Sequence, residues 1–264
     1  MKFKIIIFFI LFSISAISEA QTLKAFLYTA NFNSPENKSY IETYLSFDAN
    51  SVKLIQDENN KYFGELDVYI AITKSNEIIF NDHYSLKSPF FEDSIANNLL
   101  FIDQHRIAIE NGAYLLTINV KDIHSENNAL VHREEIKMEF EENKLAFSGI
   151  ALIEKYKKTI KENKLSKSGY DLTPYVSNFF PPTENTLSFY FEIYNTNKHF
   201  SSDKRYLLNT YIETFETNVP LFDFTKSKRM EAKDIQTNLF TFPIEKLPTG
   251  NYNLVCEIKD VENN

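Results

Sequence analysis

The sequence predicts an all-β fold of two tandem Ig-like β-sandwich domains that follow a signal peptide. Three observations support this prediction: apolar and polar residues alternate with period two, a pattern of short strands occurs twice, and the chain begins with an apolar leader. Apolar residues make up 43% of the 264 residues, which is enough to fill two hydrophobic cores.

Two strands are defined best by alternation. Residues 65–73 carry four aliphatic side chains at every second position, namely Leu66, Val68, Ile70 and Ile72. Residues 187–194 repeat this pattern with Leu187, Phe189, Phe191 and Ile193. Period two places each set on one face of a strand, so we expect both strands to have one buried face and one solvent-facing side.

The duplication appears in two pairs of segments. Residues 111–122 align without gaps on residues 249–260, and each segment is a glycine turn followed by a strand. The tyrosine–glutamate–tyrosine segment at residues 40–44 matches the one at residues 190–194. A long repeat built from short strands indicates a duplicated domain rather than a solenoid. We therefore predict one domain over residues 21–147 and a second over residues 148–264.

The second copy of the repeat is shorter than the first. After residue 122 the first copy continues through a turn into residues 131–140, which alternate like a closing strand. The second copy stops at the corresponding turn, residues 261–264. We expect the second domain to lack its last strand and the chain to be the front part of a longer protein. An uncovered edge strand also predicts homo-association through that edge.

The N-terminus is typical of a secretory signal peptide. Lys2 and Lys4 precede an apolar run over residues 5–17, and small residues surround the expected cleavage site after Ala20. The run is shorter than the roughly 20 residues that a membrane-spanning helix needs. We expect residues 1–20 to be removed on export, leaving no transmembrane segment. An uncleaved N-terminal anchor is the alternative.

Aromatic residues supply the candidate binding surface. Five tyrosines are predicted on the solvent-facing sides of strands, opposite the aliphatic core: Tyr40, Tyr44, Tyr69, Tyr190 and Tyr194. Residues 168–182 form a proline-punctuated aromatic segment that contributes Tyr170, Tyr175 and Phe179, and we expect it to be an edge piece or a long loop. Tyrosine is enriched at protein interfaces, so these eight residues are predicted to bind a protein partner. Tyrosines that merely cover an outer sheet face are the alternative.

The sequence lacks the common motifs for catalysis and metal binding. The five histidines lack metal-ligand spacing, and neither a nucleophile elbow nor a phosphate-binding glycine loop is present. A triad assembled only by folding is the alternative. Cys256 occupies the position of Ile118 in the repeat, so we expect it to be a buried, inert thiol. The sequence thus predicts no catalytic residue, no metal and no cofactor.

Charge excludes some partners. The formal net charge of −8 argues against binding to nucleic acid or to anionic membranes. The lysine-rich residues 154–167 are interpreted as a solvated loop or short surface helix, with a basic contact patch as the alternative.

Four segments together resemble the N-terminal region of GWxTD-domain proteins of Bacteroidota: residues 101–106, 167–179, 187–195 and 247–254, the last reading Leu-Pro-Thr-Gly-Asn-Tyr-Asn-Leu. The resemblance spans nearly the whole chain after the leader, and it implies Ig-like or macroglobulin-like sandwiches in the cell envelope. The Gly-Trp-x-Thr-Asp motif itself is absent, and the chain has no tryptophan. In the family that motif lies downstream.

The sequence therefore predicts a non-catalytic, exported structural or protein-interaction module in the periplasm or at the cell surface of a Gram-negative bacterium. A carbohydrate-binding module is the alternative, and an enzyme with a site at the domain junction is a third hypothesis. A sugar binder should display a row of coplanar exposed rings, whereas an enzyme should have a pocket with converging titratable groups.

Overall fold

The computed structural model describes residues 22–36, 38–93, 99–200 and 205–260. The predicted signal peptide, residues 1–20, lies outside the described residues. The regular secondary structure of the described residues is almost entirely β-strand in antiparallel sheets, which confirms the predicted all-β class. Its helical segments, a 3-10 turn (Ala49–Ser51) and α1 (Thr196–His199), are far too short to cross a bilayer.

Nine strands form the first sandwich. Their bounds are β1 (Ala25–Asn33), β2 (Ser39–Asp48), β3 (Ile55–Gln56), β4 (Tyr62–Phe63), β5 (Glu65–Lys74), β6 (Glu77–Lys87), β7 (Leu100–Ala108), β8 (Gly112–Asp122) and β9 (Leu130–Met138). One sheet has the order β1-β2-β7 and the other the order β6-β5-β8-β9, while β3 and β4 form a separate ladder. Buried aliphatic and aromatic residues from both sheets form one core between them.

Nine further strands form the second sandwich. Their bounds are β10 (Ala146–Phe147), β11 (Ala151–Lys158), β12 (Ser166–Lys167), β13 (Tyr170–Pro174), β14 (Thr186–Tyr194), β15 (Arg205–Thr214), β16 (Pro220–Glu231), β17 (Ile235–Pro243) and β18 (Tyr252–Asp260). One sheet has the order β10-β14-β11-β13-β12, and β17 also pairs with β14. The other has the order β16-β15-β18, and a second core lies between the two sheets.

Alternation predicted the core faces of β5 and β14 correctly. The four aliphatic residues of β5 are fully buried, and so are Phe189, Phe191 and Ile193 of β14. The predicted solvent-facing side of β14 is wrong, because every residue of this strand after Thr186 is buried. The reason is a third buried cluster, which packs β1 and β2 of the first sandwich against β11, β13 and β14 of the second.

Pairing follows the predicted repeat. β8 pairs with β5 as β18 pairs with β15, with Ile118 opposite Ile70 and Cys256 opposite Thr210. The predicted closing strand of the first copy is β9, which pairs with β8. In the described part of the second sandwich β18 pairs with β15 alone. Residues 261–264 lie outside the described residues, and the division into two domains at residue 147 stays a prediction.

The lysine-rich residues 154–167 match their predicted form only in part. Residues 159–165 form the predicted loop, whereas the residues on either side of it belong to β11 and β12, and no helix forms there. The backbone of β11 pairs with β13, which satisfies its polar groups, while the lysine side chains of β11 remain exposed. Just before this segment, β10 pairs with β14, although the prediction assigns its two residues to the first domain.

Candidate functional site

The two tyrosine–glutamate–tyrosine segments lie in the contact between the sandwiches. Residues 40–44 belong to β2 and residues 190–194 to β14. Tyr44, Tyr190 and Tyr194 expose at most 4% of their surface, so the prediction that they face solvent is wrong. Tyr40 is partly buried and stacks on Phe32 at 5.6 Å between ring centroids. We call these four tyrosines and the side chains around them the junction. The surrounding side chains are Phe32, Glu42, Arg106, Lys167 and Glu192.

The carboxylates of the junction accept hydrogen bonds from its tyrosines. Glu192 accepts from the Tyr190 hydroxyl at 2.5 Å on Oε1 and from the Tyr194 hydroxyl at 2.6 Å on Oε2. Glu42 accepts from the Tyr44 hydroxyl on Oε2. Burial, and then the neighbouring carboxylates, raise the pKa of Tyr44, Tyr190 and Tyr194, so all three hydroxyls stay protonated donors.

Two cations balance the two buried carboxylates. The Arg106 Nε donates to Glu42 Oε1 at 2.7 Å, and the Lys167 Nζ lies 3.1 Å from the same oxygen. The Lys167 contact is an ion pair without good hydrogen-bond geometry. The side chains of Glu42 and Lys167 are 1% and 8% exposed, so their charges are almost fully removed from water. Burial lowers the pKa of Lys167 to about 8, although the charges of Glu42 and Glu192 oppose the shift.

Aromatic rings surround the Lys167 ammonium. Its Nζ lies 2.9 Å from the centroid of the Phe32 ring and 5.3 and 5.4 Å from those of Tyr40 and Tyr190. Cation–π attraction is strongest where the cation is desolvated, as here. Because Phe32 and Glu42 belong to the first sandwich and Lys167 to the second, this ammonium joins the two.

Backbone groups also cross the junction. The Gly149 amide donates to the Asn31 carbonyl at 2.8 Å, and the Asn33 amide donates to the Tyr194 hydroxyl at 2.9 Å. A Cβ placed on Gly149 would lie 2.9 Å from the Ala30 Cα and 2.9 Å from the Asn31 nitrogen. Residue 149 must therefore be glycine for the two backbones to approach this closely.

A cavity of about 10 Å³ lies beside Lys167, Arg106 and Gln104. The Gln104 Oε1 is buried there without a hydrogen-bond partner. A volume of this size holds about one water molecule, whereas ligand pockets measure roughly 300–1,000 Å³. This cavity is thus too small for a substrate.

Of the remaining predicted site residues, Tyr170 packs against the buried cluster that contains Tyr44 and Tyr190, whereas the other three lie apart from the junction. Tyr69 is partly exposed on the outer side of β5, edge-on to His83 at 6.0 Å. Tyr170 contacts Tyr156, and Tyr175 stacks on Phe180 at 4.6 Å. Phe179 is 68% exposed. The eight predicted residues therefore do not form one surface, and the structure brings together Tyr40, Tyr44, Tyr190 and Tyr194.

Sequence reasoning missed Lys167, Arg106 and Phe32 as members of the junction. Lys167 belongs to a lysine-rich stretch whose other lysines are exposed, so composition gave no signal of its burial. The available signal was the twofold occurrence of tyrosines two residues on either side of a glutamate. Hydroxyl donors placed around a carboxylate can satisfy it in a buried site.

A second polar cluster lies between β6 and β7. The Tyr84 hydroxyl donates to Asp103, and the His105 Nε2 lies 3.0 Å from Asp103 Oδ2 and its Nδ1 3.9 Å from Asp82 Oδ2. The hydrogen bond with Asp103 raises the pKa of His105 against the effect of burial. The described residues bring together no group of three or more histidine, cysteine, aspartate or glutamate side chains that could hold a metal ion.

Cys256 is inward-facing, as the repeat predicts, but it is not fully buried. Cys256 is partly exposed, whereas the equivalent residue of the first copy, Ile118, is only 2% exposed. Burial of the sulfur raises the pKa of the thiol to about 12, which makes it a poor nucleophile near neutral pH.

Comparison with known proteins adds no functional assignment. A scan against protein-family models gives no match to this chain, and a search of curated proteins gives no significant relative.

Proposed function

We propose that this chain is a non-catalytic, exported structural and protein-interaction module of the bacterial cell envelope. In this proposal the two sandwiches form one rigid unit that holds its surfaces in a fixed relative orientation. The proposal of export and envelope location is supported by the leader at residues 1–20 and by the resemblance to GWxTD-domain proteins.

The observation that carries the proposal is the buried charge balance of the junction. Two carboxylates and two cations lie between the sandwiches, and each of the carboxylates has at least two partners. Removing one member of a buried ion pair costs about 3–5 kcal/mol because the other charge is left without compensation. A hinge that opened here would separate Lys167 from Glu42 and expose the other buried polar groups to water, so the contact favours a single orientation.

The carbohydrate-binding alternative has less support. Tyr44, Tyr190 and Tyr194, three of the rings predicted to face solvent, are buried in the junction and cannot stack on an external ligand. Tyr175 is already stacked on Phe180 within the chain, and its hydroxyl donates to the Phe179 carbonyl at 2.7 Å.

Calorimetry of a Gly149→Ala variant tests the proposal. The new methyl group would clash with the backbone of β1, and overpacking costs about 1–3 kcal/mol. We expect the wild-type protein to unfold in one cooperative transition and Gly149→Ala to lower or split it. Gly250→Ala is the matched control, because its Cβ would meet the flexible Tyr252 side chain at 3.2 Å. Two independent transitions in the wild type, with both variants behaving alike, would contradict a rigid unit.

A further inference from the structure

The free edge of β18 differs from the equivalent part of the first sandwich. β8 lies between β5 and β9 and pairs with both. Among the described residues, β18 pairs on one side only, with β15. The two ladders have the same register, with Leu116 opposite Ile72 as Leu254 is opposite Ile212. The inward residues of β18 can therefore be compared one by one with those of β8.

The inward residues of β18 are less buried than their equivalents. Three positions on β8 expose at most 2% of their surface: Leu116, Ile118 and Val120. The corresponding residues of β18 are all only partly buried: Leu254, Cys256 and Ile258. A strand beside β18 would remove this apolar surface from water, which is favourable.

Three other edge strands carry a charged residue that points inward. Asp82 of β6 lies opposite Ile70, Glu134 of β9 opposite Leu116, and Lys226 of β16 opposite Thr210. Residues directly opposite in an antiparallel ladder share a face, so these charges lie on the core side of their edges. Inward-pointing charges on edge strands prevent the addition of a further strand.

The middle of β18 lacks this protection. Its three inward positions between the strand ends are Leu254, Cys256 and Ile258, none of which carries a charge. β18 therefore has the composition of an interior strand, like β8, while its described pairing is that of an edge.

We propose that β18 binds an extended segment of another polypeptide as an added antiparallel strand with aliphatic side chains at alternate positions. The first sandwich indicates the required chemistry, since β9 places Ile136 opposite Tyr114 and Met138 opposite Gly112, 7% and 1% exposed. The equivalent positions on β18 and its preceding turn are Tyr252 and Gly250. This inference rests on the proposed function as an interaction module and specifies the class of partner.

A second copy of the chain fits the edge less well. Two β18 strands that overlap fully and antiparallel are centred on Cys256, the middle residue of Tyr252–Asp260. The acidic Asp260 of the second copy would then lie opposite Tyr252, where the first sandwich has Ile136. No described residue of the second copy would lie opposite Gly250. The self-pair thus leaves the Gly250 end of the core without aliphatic cover, which a foreign strand would provide.

A peptide with the sequence of residues 130–140 is the probe, because this segment already closes the equivalent edge of the first sandwich. The full chain is titrated with the labelled peptide by fluorescence anisotropy, while reaction of Cys256 with an uncharged disulfide reagent is followed in parallel. We expect saturable one-to-one binding that slows the thiol reaction at least tenfold, or about 1.4 kcal/mol of protection. A peptide with aspartate in place of its isoleucine and methionine should neither bind nor protect.

Two protein variants locate the bound strand. Cys256→Lys places a charge at an inward position of the free edge and should abolish binding, whereas Val255→Lys lies on the opposite face and should retain it. If Cys256→Lys fails to fold, thiol protection in the wild-type chain still decides the question. Absence of binding, or binding that leaves the thiol rate unchanged, would overturn the proposal.

Sedimentation at increasing protein concentration tests whether a second copy of the chain, rather than a foreign strand, covers β18. A dimer in which Cys256 is protected without peptide would show that a second copy covers β18, and the proposal of a foreign strand would be wrong. None of these results depends on the junction or on Gly149. A failure of the strand-binding proposal can therefore be distinguished from a failure of the proposed rigid unit.

Discussion

The buried ammonium of Lys167 makes stability depend on pH in a defined direction. Its pKa is about 8 in the folded protein, against 10.5 for an ordinary lysine. Between these values the unfolded chain binds more protons than the folded chain, so the free energy of unfolding rises with pH. From pH 7 to pH 9 the linkage relation gives a gain of about 1.3 kcal/mol from this group.

Urea unfolding of the wild type and of Lys167→Met at pH 7, 8 and 9 measures this gain. The variant lacks the titrating group, so the difference between the two free energies of unfolding should change by about 1.3 kcal/mol over the range. Tyrosines with raised pKa are present in both proteins, and their contributions cancel in the difference. Lys161→Met, at an exposed lysine of the same segment, should follow the wild type. A difference between wild type and Lys167→Met that stays constant with pH would refute the buried placement of Lys167.

Three further predictions concern other parts of the chain. Ile70→Asp should unfold the first sandwich, because Ile70 is fully buried and an unpaired buried carboxylate costs several kcal/mol. The Tyr69→Asp variant should melt near the wild-type temperature, and equal melting temperatures for the two variants would refute the register of β5. His105→Gln should lower the free energy of unfolding at pH 5.5 and have little effect at pH 8.5, as measured by urea midpoints at both pH values. The raised pKa of His105 stabilises the folded protein below pH 6.5, and this contribution is lost as pH rises through the folded pKa. N-terminal sequencing of exported protein should begin at Gln21, and a retained Met1 would contradict cleavage.

The alternation of β5 and the repeat were predictable because both depend on local order in the sequence. Period two fixes which side chains share a face, and the Gly112 and Gly250 turns mark equivalent strands without knowledge of the fold. The same reasoning predicted that Cys256 points inward. Its partial exposure was not predicted, because burial at an edge depends on which strand lies beside it.

The junction was not predictable from local pattern. Alternation in β14 shows one apolar face, and the tyrosines and Glu192 on the other face are amphipathic or polar, so solvent exposure was the natural expectation. Their burial depends on Glu42, Lys167 and Phe32, which are distant in the sequence. Charge balance between residues so far apart is a tertiary property, which a single sequence does not display.

We infer that the two sandwiches hold one fixed orientation through the junction. Pulsed electron spin resonance between spin labels at Asn81 on β6 and Thr225 on β16, in a Cys256→Ser background, measures this orientation directly. Both labelled positions are exposed. We expect a single narrow distance distribution that broadens when Gly149→Ala is added and stays narrow with Gly250→Ala. A broad or two-peaked distribution in the protein with an intact junction would show that the two sandwiches move relative to each other.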